Sequence, residues 1–395
     1  MGWLGLDDTD HLGGGCTTEV FDKLLRSLPS WAEVGQPRLV RLWPFAQNRT
    51  RGNAALGVEI KCDDESKLIE FLEGHWGAEI EPLGGSVSPS TMSSRIQVSS
   101  SPGMVWFSKK PNDMYYCKAI CSEVTLDEAP VPTKAWGGLG QIGAIAALSW
   151  HSKRVTFEAI AWRKPEYYET PRRIDDAVIR EIDEWPEIVF SRDPRKGTSL
   201  IAPRGHSPVL FGVRARTFAA AEEAAGLIVS SGNTEDVQVH RVFITNQASG
   251  DHLAEPVEAR LLALEVHPQR KHARLETDVG PMVAFFEGGP VNKLARWLMP
   301  EDRFEVRGLV DHHGVLHIEQ IRLISFLPRQ QQRPLCEDCG QRLKSMGTNQ
   351  GLRCPSCRRR YEDGWIDILP SPPFQGWVEP SIDSRRHLAR PLDWV

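Results

Sequence analysis

Residues 3–10 read Trp-Leu-Gly-Leu-Asp-Asp-Thr-Asp, and this stretch decides the fold of the first part of the chain. Its four mostly apolar residues predict a short buried strand that ends at an acidic turn. Three glycines follow at 13–15, and apolar residues then recur at helical spacing from 20 to 28, where Pro29 ends the run. A strand, a turn and a helix in this order favour an α/β or α+β domain.

The same patterns extend through the middle of the chain. They predict strands at 39–43, 54–60, 156–162, 209–214 and 242–245, and helices at 66–72 and 219–227. The small-residue segment 137–148 predicts a glycine turn leading into a closely packed helix, and the stretch 84–102, rich in Ser, Gly and Pro, predicts a mobile loop. Strands and helices in this alternation suit a ferredoxin-like α+β domain after the first domain.

From about residue 258 the strands are closely spaced, at 260–267, 282–286, 303–310 and 316–326, with one helix at 291–298. This pattern fits a five-stranded barrel of the OB type. Residues 329–334 then form a linker to a cysteine-rich module. The fold class expected from the whole chain is therefore multidomain α+β.

The length and composition of the chain limit the classes of protein to which it can belong. A length of 395 residues favours two to four domains, and 41% hydrophobic and 25% charged residues are typical of globular proteins. The sequence contains no run of about 20 apolar residues, and its start is acidic rather than basic, which does not fit a signal peptide. We therefore expect a soluble, cytoplasmic protein.

Four cysteines give the most specific local signal. They form two Cys-x-x-Cys pairs, Cys336 with Cys339 and Cys354 with Cys357. This spacing is typical of a structural zinc ribbon, in which four thiolates leave no open position on the metal. The alternative, two unrelated reduced pairs, is the weaker interpretation.

Basic residues concentrate in the C-terminal fifth, although the formal net charge of the chain is -5. Such clusters can bind the phosphates of a nucleic acid. On charge alone, a solvated surface explains them equally well. The candidate RNA-binding residues are Arg353, Arg358, Arg359, Arg360, Arg385 and Arg386.

The acidic turn is the second signal. Asp7, Asp8 and Asp10 follow the first strand and provide oxygen ligands suited to a hard cation. Glycines and a helix N-terminus can approach phosphates closely, so the sequence predicts a magnesium–nucleotide site. The alternative is an acidic turn with a threonine helix cap. The remaining residues of this candidate site are Gly13, Gly14, Gly15, Thr17 and Thr18.

A third candidate lies in the polar segment between the two strands at 39–43 and 54–60. Arg51, Gly52 and Asn53 could position phosphates there, although a plain turn explains them as well when they are taken alone. Weaker single candidates, for which ordinary turn or structural roles are the better interpretation, are His206, Asn246, Asp251 and His252.

Together these motifs resemble the archaeal isoleucine-tRNA agmatinylcytidine synthetases. The resemblance covers the acidic motif at 5–10, the Cys-Thr-Thr at 16–18, the Thr-Arg-Gly-Asn at 50–53 and the small-residue segment at 138–148. It also covers 207–214, 243–246, the cysteine ribbon and 384–388. Motifs in this order along the chain are far more specific than any one of them.

The resemblance implies an ATP-dependent ligase that conjugates agmatine, or a related amine, to C2 of the wobble cytidine of an isoleucine tRNA with a CAU anticodon. This modification allows AUA decoding. The first domain would be an unusual kinase that phosphorylates the cytidine and a threonine of its own. That threonine corresponds to Thr17, directly after Cys16, with Thr18 as the second choice. The implied cofactors are ATP, Mg²⁺ and Zn²⁺.

The resemblance also implies a domain order. It places a kinase-like domain at 1–132, a ferredoxin-like, amine-binding domain at 133–256, an OB-fold at 257–328, and the zinc ribbon with the basic tail at 329–395. The residues at 11–15 depart from the family pattern, and those at 84–102 match nothing in it. These departures leave open a bacterial relative and an amine other than agmatine.

One competing hypothesis comes from another class of protein. A non-catalytic nucleic-acid-binding protein, built from the barrel and the ribbon, would carry a degenerate first domain. The presence of all three aspartates and both threonines argues against degeneracy. A zinc hydrolase is excluded because four thiolates saturate the metal.

Overall fold

A computed structural model describes residues 1–11, 15–49, 53–87, 98–151, 154–193, 195–203, 205, 207–362 and 364–394. The chain divides into two compact units. The first contains Met1–Ala254, Leu309–His313 and Ile382–Val395, and the second contains Glu255–Gly308 and Gly314–Ser381. The multidomain α+β class predicted from the sequence is confirmed.

The first unit contains twelve strands and six α-helices among its described residues. The strands are β1 Gly2–Asp7, β2 Glu33–Val34, β3 Arg38–Arg41, β4 Ala54–Lys61, β5 Gly103–Phe107, β6 Lys134–Gly137, β7 Thr156–Arg163, β8 Ile188–Val189, β9 Arg192–Asp193, β10 Thr198–Ser199, β11 Val209–Ala215 and β12 Val237–Thr245. The helices are α1 Thr17–Ser27, α2 Glu65–His75, α3 Met114–Ala119, α4 Gly140–Ser149, α5 Asp176–Asp183 and α6 Phe218–Ser230.

Ten of these strands form one sheet in the order β6-β5-β1-β4-β3-β12-β7-β11-β8, with β2 beside β4. The pairs along the sheet are antiparallel, apart from β3 and β12, which run parallel where Arg38 pairs with Ile244 and Leu39 with Thr245. The β3–β12 pair joins the strands before residue 138 to those after it. A single sheet therefore spans the regions predicted as the first and second domains.

Successive side chains of β1 point to opposite faces of the sheet, and helices pack against both faces. Leu4 and Leu6 are fully buried in a core shared with α1 and α2, and each such leucine contributes about 2 kcal/mol. Trp3 points to the other face and packs with residues of α4. At Gly5 a Cβ would lie 2.8 Å from the carbonyl oxygen of Ala144 in α4, so only glycine allows α4 to come this close.

The second unit contains a closed barrel of five strands in the order β13-β14-β15-β17-β16. Their bounds are β13 Val257–Val266, β14 Ala273–Thr277, β15 Gly280–Ala284, β16 Arg303–Val310 and β17 Leu316–Ser325. Helix α7, Pro290–Trp297, lies between β15 and β16 and packs on the barrel. The cysteine module adds β18 Gln330–Gln332, β19 Lys344–Ser345, β20 Leu352–Arg353, β21 Arg360–Tyr361 and β22 Ile366–Ile368.

Short helical turns complete the described structure. They are Trp76–Ile80, Glu81–Leu83, Leu126–Glu128, Pro165–Tyr167, Phe286–Gly288, Ile382–Ser384 and Leu392–Trp394.

The predicted elements are found, with shifts at their ends. Within the small-residue segment 137–148, Gly137 ends β6 with φ of 79°, residues 138–139 turn, and helix α4 begins at Gly140, as the predicted glycine turn and helix require. The sequence does not predict strand β14. Its side chains alternate between buried and exposed as in other strands, but the exposed Arg274 and Glu276 make the segment too polar to be recognised. The loop prediction at 84–102 falls mainly on 88–97, which lie outside the described residues.

The C-terminal segment differs from the expected grouping. The sequence grouped residues 329–395 as ribbon and tail, whereas Ile382–Val395 belongs to the first unit. The amides of Ala248 and Gly250 donate to the carbonyl oxygens of His387 and Leu388, at 2.7 and 2.8 Å. Leu388 is buried in a cluster with residues of β3, α3 and α4. This segment is therefore an integral part of the first unit.

Candidate active site

The acidic motif lies where β1 leaves the sheet. The side chain of Asp7, the last residue of β1, accepts a hydrogen bond from the Asp8 amide at 2.7 Å. Asp8 has φ of 60°, a left-handed conformation that few residues other than Gly, Asn and Asp adopt. Its Oδ2 accepts from the Ser101 amide at 3.0 Å. Both carboxylates are thus held by backbone amides at the end of the strand.

Burial and mutual repulsion dominate the electrostatics of this motif. Burial, followed by repulsion from Asp8, raises the pKa of Asp7 well above its ordinary value. Burial and repulsion from Asp10 raise the pKa of Asp8 to about 7, against the hydrogen bond from Ser101. Three carboxylates therefore lie within electrostatic range of one another. Carboxylate oxygens are ligands that hard cations prefer, but Asp7 and Asp8 line one cavity while Asp10 lines another.

Helix α4 approaches these carboxylates through glycines. A Cβ at Gly143 would lie 1.8 Å from Asp7 Oδ2, and one at Gly140 would lie 2.4 Å from the Asp7 carbonyl oxygen. The small-residue segment predicted to pack closely thus fixes the position of Asp7.

We expect Gly143→Ala to reduce catalytic activity much more than stability. The added methyl group displaces the Asp7 carboxylate, which is the movable end of a side chain, and a shift of about 1 Å in a reacting site can cost about 10²-fold in rate. The matched control is Gly74→Ala in α2, where a Cβ meets nothing within 4 Å. ATP turnover and thermal unfolding should be measured on both proteins. Equal activities would contradict this role for Gly143.

The two threonines make different contacts. Cys16, not a threonine, is the N-cap of α1, and it makes no side-chain capping bond. The Thr17 hydroxyl instead donates to Asp10 Oδ1 at 3.0 Å and accepts from the Thr9 amide at 3.4 Å. The alternative interpretation of Thr17 as a helix cap is therefore wrong. A hydrogen bond from a hydroxyl to a carboxylate is the contact that an activated nucleophile makes with its base.

Thr18 lies beside it with its oxygen engaged elsewhere. Its Oγ1 accepts from Trp162 Nε1 at 3.2 Å and contacts Cys16 Sγ at 2.9 Å. Of the two threonines, only Thr17 therefore has a hydroxyl that donates to a carboxylate in these contacts.

Two cavities border this motif. The first, here named the aspartate cleft, is lined by Asp7, Asp8, Asn53 and Gly143, together with Arg49 and residues 42–43. The Asn53 side chain donates to the Trp43 carbonyl oxygen at 2.7 Å, so its amide group shapes the wall of the cleft.

Among the predicted glycines, Gly15 has φ of 76°, a left-handed conformation that favours glycine. The predicted residues Gly13, Gly14, Arg51 and Gly52 lie outside the described residues.

The second cavity, here named the threonine cavity, is lined by Asp10, Thr17 and Thr18. Its lining also contains four residues that the sequence does not single out individually: Arg41, Glu158, Arg214 and His387.

Glu158 lies at the centre of these charges. Its buried carboxylate is 3.7 Å from Arg41 Nη2 and 3.5 Å from Arg214 Nε, and it accepts from Gln247 Nε2 at 2.5 Å. A Cβ at Gly212 would lie 2.6 Å from Glu158 Oε1, so glycine keeps room for this carboxylate. Arg214 and His387 lie within the segments 207–214 and 384–388, which are part of the family resemblance. That resemblance is the feature of the sequence from which these two residues could have been identified.

The weaker candidates have structural roles where they are described. Asn246 is fully buried, and its side chain bonds both the amide and the carbonyl of Arg41 at 2.8 Å. Asp251 accepts from the Tyr116 hydroxyl at 2.9 Å, and His252 is buried. His206 lies outside the described residues.

The four ribbon cysteines converge in the second unit. Their sulfur atoms all lie within 4.8 Å of one another, with Cys336 and Cys357 at 3.4 Å and Cys339 and Cys354 at 3.3 Å. Tetrahedral zinc with thiolate ligands spaces its sulfurs by about 3.8 Å, so the cysteines fit this metal.

A row of cations crosses the small sheet of the ribbon. Lys344 pairs with Arg353, and Arg353 pairs with Arg360, on three adjacent strands, and all three side chains are exposed. Like charges directly opposite one another repel. A bound anion would relieve the repulsion within this cationic row.

The other predicted RNA-binding arginines differ from this row. Arg359 pairs with Asp338 at 2.7 Å and Glu337 at 3.4 Å, while Arg358 adopts φ of 64° in the turn after the last two cysteines. Arg385 and Arg386 belong to the first unit, where they lie over the rings of Phe190 and Phe45 at 5.7 and 4.6 Å.

Comparison with protein-family models finds three matches along the chain. They are the TiaS TCKD domain at residues 3–137, the TiaS FLD domain at 138–252 and the TiaS C-terminal zinc ribbon domain at 333–366. Among the described residues, no helix has the length and apolarity required to cross a membrane.

Similar proteins cover the whole chain. TiaS of Pyrococcus horikoshii, the 2-agmatinylcytidine synthetase of an isoleucine tRNA, is 31% identical over 98% of this chain and 96% of its own length. That of Methanopyrus kandleri is 30% identical over 99% and 96%. The crystal structure of apo TiaS has a TM-score of 0.80 at 25% identity, covering 100% of this chain and 97% of its own. The complex of TiaS with its isoleucine tRNA and ATP has a TM-score of 0.78, with the same identity and coverage.

Proposed function

Because the chain belongs to the TiaS family of isoleucine-tRNA 2-agmatinylcytidine synthetases, we propose that it uses ATP to join agmatine to C2 of the wobble cytidine of this tRNA. The observation that carries the proposal is the threonine cavity, which is lined by Thr17 and Asp10 and also by Glu158 and Arg214. One cavity thus joins the proposed phosphoryl-transfer groups to the Glu158 carboxylate, which lies beside Arg41 and Arg214 and could contact a cationic amine. A non-catalytic binding protein does not account for this arrangement.

The first step places ATP at the aspartate cleft. We assign Asp7, Asp8 and Asp10 to a magnesium ion on the ATP phosphates, which neutralises charge in phosphoryl transfer. Carboxylate oxygens are the donor set that this ion prefers. Asn53, with Gly13, Gly14, Gly15, Arg51 and Gly52, would line the path of the phosphates. This region, residues 1–132, is the proposed kinase-like domain.

The Thr17 hydroxyl would accept a phosphoryl group from ATP. Its proton already points at Asp10, which is the role a carboxylate has beside the attacking hydroxyl in kinases. A phosphate on Thr17 would lie at the first residue of α1, where backbone amides and the helix dipole stabilise negative charge.

We expect Thr17→Ala to abolish phosphorylation of the protein and Thr18→Ala to leave it. The reason is the different hydrogen bonding of the two hydroxyls, since only that of Thr17 donates to Asp10. Incubation with labelled ATP, followed by mass spectrometry of the peptide that contains residues 16–26, checks the result. Phosphate retained in Thr17→Ala and lost in Thr18→Ala would reverse the assignment. Thermal unfolding controls for loss of the Asp10 hydrogen bond.

The chemistry of the base explains why ATP is required. The C2 oxygen of cytosine is a poor leaving group, and phosphorylation converts it to a good one before the amine attacks. Residues 133–256, the proposed ferredoxin-like domain, supply Glu158 and Arg214 to the cavity where this occurs. An anticodon base is unstacked easily, so it can enter a pocket at low cost.

The second unit would hold the RNA. Residues 257–328 form the proposed OB-fold, a barrel that often binds oligonucleotides, and 329–381 carry the zinc ribbon. Zinc held by the four cysteines would fix the loops around the cationic row. Arg385 and Arg386, in the first unit, are proposed contacts near the threonine cavity.

We expect the double variant Arg353→Gln and Arg360→Gln to weaken tRNA binding and to flatten its salt dependence. Each lost phosphate contact should reduce the slope of log K against log salt by about 0.7–0.9. Arg359→Gln is the control, because Arg359 already forms ion pairs with Asp338 and Glu337 and so should contribute less to binding a phosphate. Filter binding between roughly 50 and 200 mM salt, the range over which such contacts change affinity strongly, measures both. An unchanged slope in the double variant would place the RNA on another surface.

The decisive test of the proposed function is a complete reaction. The protein is incubated with ATP, agmatine and an isoleucine tRNA transcript that carries the CAU anticodon, and the nucleosides are analysed by mass spectrometry. We expect agmatinylcytidine, and none with a transcript whose wobble cytidine is replaced by uridine. Absence of the product with agmatine and with related amines would contradict the proposal.

A further inference from the structure

The segment 384–388 delivers one side chain to the threonine cavity. Backbone hydrogen bonds from Ala248 and Gly250 hold this segment against the loop after β12, and buried Leu388 anchors it. His387 then lines the same cavity as Asp10 and Thr17. The position of His387 is therefore fixed by the packing of this segment in the first unit.

A chain of hydrogen bonds fixes the state of this ring. The Glu158 carboxylate can only accept, so the group of Gln247 that faces it at 2.5 Å is the amide nitrogen. The Gln247 oxygen then faces His387 Nδ1 at 3.0 Å, and an amide oxygen also only accepts. Nδ1 must therefore carry the proton, and Nε2 of the neutral ring has a free lone pair.

The charges around the cavity keep the ring neutral. The positive charge of Arg41, followed by loss of contact with water and the charge of Arg214, holds the pKa of His387 well below its ordinary range. Titratable and charged groups lining the threonine cavity and the adjoining hollow beside His387 are Asp10, Cys16, Arg41, Glu158, Arg214, Asp383, Arg385 and Arg386.

We propose that His387 is a catalytic residue of amine transfer, with Nε2 as the general base for the attacking amine. Glu158 and Gln247 are its positioning residues, because they set the tautomer without touching the reacting atoms. The inference rests on the proposed function, since it concerns the step after ATP has activated the cytidine.

The step balances without a further reactant. The neutral amine forms the C–N bond to C2 while one of its N–H protons moves to Nε2. The bond from C2 to the phosphorylated oxygen breaks, and phosphate leaves with the bonding electrons. His387 returns the proton to that phosphate, which leaves as hydrogen phosphate, and the ring is neutral again.

The test separates the two chemical steps in the full-length protein with tRNA. His387→Asn retains an amide donor toward Gln247 but has no base, and His387→Ala leaves room for free imidazole. RNA-bound phosphate formed from labelled ATP without amine reports activation, and incorporation of labelled agmatine reports transfer. Thermal unfolding of both variants checks that the first unit remains folded.

We expect activation to stay within about twofold of wild type and transfer to fall by about 10²-fold in both variants, the lower end of the usual contribution of a general base, because the lowered pKa makes His387 a weaker base. Added imidazole should restore transfer to His387→Ala in proportion to its concentration. Parallel loss of both steps without rescue by imidazole, or unchanged transfer, would overturn the proposal. No transfer by the wild-type protein would instead contradict the proposed function, and this inference with it.

Discussion

Asp8→Asn should reduce tRNA-dependent ATP consumption on the order of 10³-fold or more, because it removes one of the charges that stabilise phosphoryl transfer. The fold should tolerate the change. Asn adopts the left-handed conformation that Asp8 requires, and its side-chain oxygen can still accept from the Ser101 amide. The substitution thus removes the charge and retains the shape.

The control is Asp64→Asn, at the exposed N-cap of α2, where the side chain accepts from the Lys67 amide at 3.0 Å. Asn is an equally good cap, so activity and stability should both be unchanged. ATP consumption is measured with and without tRNA, beside thermal unfolding. Wild-type turnover by Asp8→Asn would show that the aspartate cleft is not the ATP site.

Cys354→Ser should eliminate bound zinc and unfold the ribbon. Zinc binding provides about 10–16 kcal/mol in zinc-finger peptides, and the small core around Cys336, Leu343 and Leu352 cannot replace this. We expect the metal content to fall from one zinc per chain to none, and residues 333–366 to become sensitive to protease. Affinity for tRNA should fall, while ATP binding in the first unit is retained.

Cys121→Ser is the matched control for zinc, because Cys121 is an exposed thiol of the first unit. Elemental analysis of both proteins, purified without chelator, gives the result. One full equivalent of zinc in Cys354→Ser would exclude the four-thiolate site.

The sequence could predict elements whose signals are local. The ribbon cysteines have a fixed spacing, and the apolar pattern of α1 and the barrel strands follows from burial on one side. It could not show that β3 and β12 pair, since their contact joins Leu39 to Thr245 across some two hundred residues of chain. Long-range pairing is set by packing of the whole sheet, which no local pattern encodes.

The candidate site divides in the same way. Asp7, Asp8 and Asp10 lie close together in the sequence, so a site for a cation can be predicted from them without a structure. Other lining residues of the threonine cavity, Arg41, Glu158 and His387, lie on three distant segments. Each is an ordinary polar residue within its own segment. Only the fold shows that they share one cavity with Thr17.

The return of residues 384–388 to the first unit sets an order in which that unit can be assembled during translation. Domains generally fold in order as the ribosome adds about 5–20 residues per second. The sheet of the first unit can therefore form while the barrel is still being translated. The threonine cavity receives its last wall only after residue 387 has emerged. A nascent polypeptide that ends before residue 387 thus contains the proposed ATP-site aspartates but lacks the side chain that we propose as the base of amine transfer.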